Sequence, residues 1–157
     1  MNGGNCQRCA HSPWVQRANQ FLNSNRGDVG HNAHVTTIEF LLQNGHCGIN
    51  YRTTIEAILQ YLNQQNIPMS REEFQNQVLT ELKRQGILAT LVYPGPQGGV
   101  FIPCDQDEAR QVAGQVIERV VQELTNLEGI TYQTQVHDMI TSLREAAESV
   151  RGRVQNE

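Results

Sequence analysis

The stretch RQGILATLVYPGPQGGVFIPCD, residues 84–105, decides how this chain folds. A charged helix end runs into Gly86, and β-prone residues follow. Ile87, Ala89, Leu91 and Tyr93 alternate with Leu88, Thr90 and Val92, so the two sets belong to opposite faces of a strand. PGPQGG supplies the turn, VFIP the return strand, and Pro103 the stop. A two-stranded hairpin therefore leaves directly from the end of a helix.

On either side of the hairpin lie helix-start signals. Thr36 precedes Glu39 by three residues, and the same spacing recurs at Thr53–Glu56, Ser70–Glu73 and Asp105–Glu108. Each pair fits a capping box, in which side chain and backbone satisfy each other's donors, and each heads an apolar stripe. The order is helix, helix, helix, hairpin, helix, which makes the fold class mostly α with a small β-hairpin. GIN (48–50) is a candidate third strand beside the hairpin. Residues 105–128 carry apolar side chains over too wide an arc for a solitary surface helix. A second helix over roughly 133–151 repeats Val136, Ile140, Leu143, Ala147 and Val150 at heptad spacing. These two helices either cover the domain's own core or form a dimerisation arm. The arm is the preferred reading, because three helices and a hairpin already close a core.

Residues 1–34 are rich in Asn, Gly and His, and within them only WVQRANQFL (14–22) has helical spacing. No run approaches the length of a membrane-spanning helix, and the first twenty residues lack the layout of a signal peptide. A soluble, cytoplasmic protein is expected. In that setting Cys6, Cys9, Cys47 and Cys104 read as thiols or metal ligands rather than a disulfide framework.

The runs IEFLLQNG, TTIEAILQYLN and SREEFQNQVLTELKRQGILATLVYPGPQGGVFIP together resemble winged helix-turn-helix domains. SREEFQNQVLTELKRQGI followed by GGVFIPCDQDEARQV is similar to small winged-helix proteins of phage and plasmid genomes. The resemblance covers about residues 35–125 and rests on element order and a loose pattern. It implies a winged helix (three helices plus wing) over 35–104, which composition and the apolar stripes set between a polar Cys/His-containing arm at 1–34 and a helical dimerisation arm at 105–157. It also implies double-stranded DNA as the default ligand, in transcription regulation or replication, and the family includes members that bind only protein.

In such domains the third helix enters the major groove. A wheel drawn over 70–85 turns Phe74, Val78 and Leu82 inward, with Leu79 at the edge, and Glu73, Asn76, Gln77, Thr80, Lys83 and Arg84 outward. Asn and Gln suit adenine, Arg suits guanine, and Thr can meet a thymine methyl. Glu73 opposes phosphate binding, although a capping role accounts for it. Arg52 and Arg71, at helix starts, either clamp phosphates or are simply solvated. The hairpin tip offers Tyr93 and Gln97 but no Lys or Arg. It is either a wing on the sugar-phosphate backbone or a rigid, uncharged turn.

The net charge of −4 falls unevenly, with three Arg against one Asp in 1–34 and five Arg against ten acids in 105–157. A protein that wraps DNA non-specifically should be basic throughout, so DNA contact must come from a local face. CQRCAH and HNAH suggest a structural zinc on Cys6, Cys9, His31 and His34, although two histidines separated by only two residues are closer than zinc fingers usually place them. The competing reading is a polar leader whose two thiols fall close by chance. No phosphate loop and no nucleophile with a neighbouring base is present, so no enzyme is expected. The sequence thus points to a homodimeric, sequence-specific DNA-binding protein. The alternative is a winged-helix adaptor that docks on protein through its neutral tip and acidic helices.

Overall fold

The computed structural model describes residues 3–91 and 99–156, with side chains from Cys6 onward. The chain divides into two compact units, Met1–Glu108 and Ala109–Glu157. The first contains α1 (Pro13–Asn25), α2 (Asn32–Gln43), α3 (Ile55–Gln64), α4 over 71–84, and a hairpin of β1 (Ala89–Leu91) and β2 (Gly99–Phe101). Helices α5 (Gln106–Ile130) and α6 (His137–Asn156) follow. The fold is mostly α with a small antiparallel hairpin, as the sequence predicts.

The capping signals fare unequally. Ser70 forms the full box: its hydroxyl accepts the Glu73 N–H, and the Glu73 carboxylate accepts the Ser70 N–H. Asp105 caps the Glu108 N–H at 2.8 Å, but Glu108 reaches instead to the N–H groups of Cys104 and Ile49. For α3 the cap is Thr54, one residue after the expected Thr53, whose backbone is taken by the hairpin. Thr36 caps nothing, because α2 has already begun at Asn32 and buries Thr36 inside it. A tertiary face extended this helix by a turn beyond its local signal.

β1 and β2 pair Ala89 with Phe101, Thr90 with Val100 and Leu91 with Gly99. The expected third strand at GIN is a 3₁₀ turn, Ile49–Tyr51. The residues around it do the pairing. Thr53 exchanges both backbone hydrogen bonds with Val100, and Ile102 is bonded on both sides by His46 and Gly48. Gly99 makes this approach possible, since a Cβ there would lie 2.7 Å from the Thr53 carbonyl oxygen. At the opposite end of the hairpin, Gly86 takes φ +71° and Ile87 N–H returns to the Leu82 carbonyl, closing α4 as a Schellman motif.

One core joins α1, α2, α3, α4 and β2, with Phe74, Ile38, Leu41, Ile58 and Leu62 fully buried. The N-terminal segment is part of it. Val15, Ala18, Phe21 and Leu22 of α1 enter the same cluster, which satisfies the 14–22 stripe. The Ser12 hydroxyl accepts from Trp14 and Val15 N–H and donates to the Pro103 carbonyl at 2.7 Å. Before it, Arg8 donates to the carbonyls of Gly45 and Cys47 and lies over the Tyr51 ring.

The cysteines correct the expectation of thiols. Cys6 is bonded to Cys47 and Cys9 to Cys104, and none of the four is free. The partners lie 41 and 95 residues apart, so no local pattern announces them.

The second unit is a helical hairpin. Arg144 joins Glu128 to Glu148, and Arg151 joins Glu118 to Glu148, so the helices run antiparallel. Ala147 and Val121 are buried, whereas Val136, Leu143 and Val150 stay exposed at a seven-residue interval. The heptad seam read from sequence is therefore divided between a covered and an open side. Among the described residues no helix is long and apolar enough to cross a membrane.

Gly99→Ala should lower the unfolding free energy by about 1–3 kcal/mol, the usual range for forcing atoms into a filled space. Urea denaturation measures it. A loss under ~0.5 kcal/mol, within the range of an ordinary surface change, would contradict the close passage of β2 past Thr53.

Candidate nucleic-acid interface

Helix α4 is not a plain α-helix. A first turn at Arg71–Glu73 leads into a π-helical stretch, Phe74–Leu79, and α-helix resumes over Thr80–Arg84. The wider turn carries an extra residue inward. Phe74, Val78 and Leu82 are buried as the wheel predicts, and Leu79, expected at the edge, is 2% exposed. A π turn is rare and often marks a functional site, because it rearranges backbone pairing and side-chain direction together.

The outward side chains largely keep their expected face. Glu73, Asn76, Gln77, Lys83 and Arg84 are exposed. Thr80 is half-buried, and its hydroxyl donates to the Gln75 carbonyl five residues back at 2.8 Å, which supports the π turn. Asn76 and Gln77 thus lie on the π stretch, and Lys83 and Arg84 close the helix at its C-terminal end.

The two arginines at helix starts have local roles. Arg71 forms an ion pair with Glu56, joining the first turns of α3 and α4. The Glu56 carboxyl is held below its ordinary value, chiefly by its own backbone N–H and then by Arg71. Arg52 donates to the Ile49 carbonyl at 2.9 Å, across the 3₁₀ turn beside the hairpin. Tyr93 and Gln97 lie outside the described residues.

Of the four residues proposed for zinc, Cys6 and Cys9 belong to different disulfides. His31 and His34 stand together, with ring centroids 5.1 Å apart, and both face α4. With the sulfurs bonded in pairs, the described residues present no group of three or more ligands ready for a metal. The histidines instead brace the helix. His34, 7% exposed, places Nε2 2.7 Å from Glu81 Oε2 and 2.9 Å from the Gln77 carbonyl, so Nε2–H donates into the π turn. His31 bridges Asp28 at 2.9 Å and Glu81 at 3.3 Å. Among the described residues His34 Nδ1 has no hydrogen-bond partner. Sequence reasoning treated these histidines only as ligands and passed over Asp28 and Glu81. The available signal was HNAH itself, since residues three apart share a helix face.

Two titrations follow from the brace. The hydrogen bond that His31 donates to Asp28 raises His31 above its ordinary value of 6.5, with Glu81 adding to the effect, and the same bond lowers Asp28 below 3.8. A raised histidine stabilises fully below its unfolded pKa, and the contribution is lost as pH rises through the folded one. A lowered aspartate stabilises above its unfolded pKa and loses that contribution on acidification. The pair therefore contributes most between the two ordinary values. Urea midpoints of the wild type should fall from pH 6 to pH 8, and His31→Ala should reduce that slope. Equal slopes in both proteins would remove His31 from the brace.

No family model matches the chain, and no solved structure does either. A relative in Methanocaldococcus jannaschii, named "Putative control protein C.MjaVP", is 44% identical over 154 residues. The alignment covers 96% of this chain and 94% of the relative, so the similarity takes in both compact units.

Proposed function

The chain belongs to the family of that archaeal control protein, and from this we propose that it is a regulator of transcription that binds double-stranded DNA as a homodimer. Its first unit is assigned as a winged helix, with α4 as the reading helix and the 89–101 hairpin as the wing. The observation that carries the assignment is the exposed face of α4, where Asn76 and Gln77 precede Lys83 and Arg84. The amides have the donor and acceptor pairs that match adenine, and the two cations suit guanine or phosphate. No catalytic role is assigned.

Selection from a random duplex library with the purified protein tests the reading. An enriched site that survives moderate salt is expected. Lys83→Ala with Arg84→Ala should weaken binding to every duplex and reduce the salt slope by about 2. Asn76→Ala or Gln77→Ala should change the preferred sequence more than the overall affinity. Failure to retain any duplex, together with capture of a defined protein partner, would favour the adaptor.

The open side of the second unit supports the dimer. Val136, just before α6, and Leu143 and Val150 on it recur every seven residues, and Val116, Val120 and Leu127 are exposed on α5. A heptad row of this kind is self-complementary across a two-fold axis, and two copies would bury it. Leu143→Glu should convert the protein to a monomer in sedimentation equilibrium while its circular dichroism stays unchanged. A monomeric wild type would remove the dimer.

A further inference from the structure

All four cysteines converge on one corner of the first unit. Cys6 and Cys9 are three residues apart in the 3₁₀ segment Gly3–Cys9, which kinks at Cys6, and their sulfurs are bonded to Cys47 and Cys104. Cys47 lies opposite Ile102 in a parallel bridge, so Cys104 follows two residues later. A Cβ at Gly48, next to Cys47, would be 3.8 Å from the Cys104 Cβ. The corner thus consists of a Cys-x-x-Cys turn facing two cysteines on adjacent backbone segments.

We infer that, when its disulfides are reduced, this corner binds one zinc ion through Cys6, Cys9, Cys47 and Cys104. Zinc bonds thiolate sulfur at about 2.3 Å in a tetrahedron, which places the sulfurs about 3.8 Å apart. The Cα separations of 5.8 Å for Cys6–Cys47 and 4.9 Å for Cys9–Cys104 let sulfurs open to that spacing by side-chain rotation. Two molecules of a dithiol reduce the two disulfides and are themselves oxidised to disulfides, giving four protein thiols. Zn²⁺ then displaces the four thiol protons and forms four Zn–S bonds.

The need for such a link is local. Cys6, Cys9 and Ser12 are the buried side chains described between residues 6 and 12. Reduction alone would leave this turn attached by polar contacts, and a metal restores a covalent-strength anchor at the same atoms. The four-thiolate zinc centre carries two negative charges, and Arg8, between Cys6 and Cys9, is held at this corner by the Gly45 and Cys47 carbonyls. The ligand set replaces the one suggested by Cys-x-x-Cys with His31 and His34, whose rings are committed to Asp28 and Glu81.

The test uses the full chain purified with a dithiol reductant and without chelators. Elemental analysis should find one zinc per chain, and Co²⁺ added to the stripped, reduced protein should give the charge-transfer and d–d bands of a tetrahedral tetrathiolate. Cys47→Ser and Cys104→Ser should each abolish that spectrum, whereas His31→Ala with His34→Ala should preserve it. The wild-type titration guards against variants that fail to fold. Four freely titratable thiols with neither zinc nor a cobalt spectrum would overturn the inference. So would a spectrum that survives loss of Cys47 and Cys104 but not of the histidines.

Discussion

The segment from Gly99 to Cys104 holds the first unit together, because its residues tie down different parts of the chain. Val100 exchanges both backbone bonds with Thr53 at the start of α3. Ile102 accepts from Gly48 and donates to His46, fixing the turn after α2. The Pro103 carbonyl takes the Ser12 hydroxyl, and Cys104 is bonded to Cys9. Backbone groups buried in this way must be paired, so the strand can neither slide nor twist without breaking several bonds at once. Since β1 leaves α4 through Gly86 and pairs with this strand, the position of α4 is fixed from the hairpin side as well as from the core.

Much of this order was legible in the sequence, and the failures have physical causes. The paired strands are legible in the β-prone residues on both sides of the 94–99 run, but the expected alternation is not met where it is described, since Ile87 and Leu88 are both buried. Ser70–Glu73 was a true capping box because nothing else claimed either side chain. Thr53 had the right spacing but was needed by Val100, and the cap moved to Thr54. Thr36 had the right spacing inside a helix whose start is set by packing. The GIN segment, a candidate for the short strand that pairs with the hairpin, is a 3₁₀ turn, and the pairing falls to the residues flanking it. A local signal therefore held wherever tertiary contacts made no competing demand on the same atoms.

For the candidate interface, legibility followed the helix period. A 3.6-residue wheel found the outward face of α4 and the three deepest inward residues. It could not find the π turn, which is supported by one contact from a residue distant in sequence and one made within the helix. His34 donates to the Gln77 carbonyl, and Thr80 donates to that of Gln75. These bonds stabilise carbonyls that a regular helix would pair along its own axis, so the extra residue persists and Leu79 turns into the core. The same brace connects α2 to the backbone of the proposed reading helix.

Whole-chain acidity counts against a nucleic-acid ligand, as does the base-free hairpin tip, and the placement of charges weakens the first objection. Several acids of the first unit already have cationic or ionisable partners: Glu39 with Arg26, Glu56 with Arg71, and Asp28 and Glu81 with the two histidines. In the second unit, Glu118, Glu128 and Glu148 are joined through Arg144 and Arg151. A paired carboxylate repels an approaching phosphate less than a free one, because its partner cancels most of its field within a Debye length. The charge that a duplex would meet at α4 is therefore set locally, by exposed Lys83 and Arg84 against Glu72 and Glu73, of which Glu73 is engaged in its cap. A face of amides with cations at one end discriminates by hydrogen bonding more than by bulk attraction. Such a face suits a protein whose overall charge discourages non-specific retention on DNA.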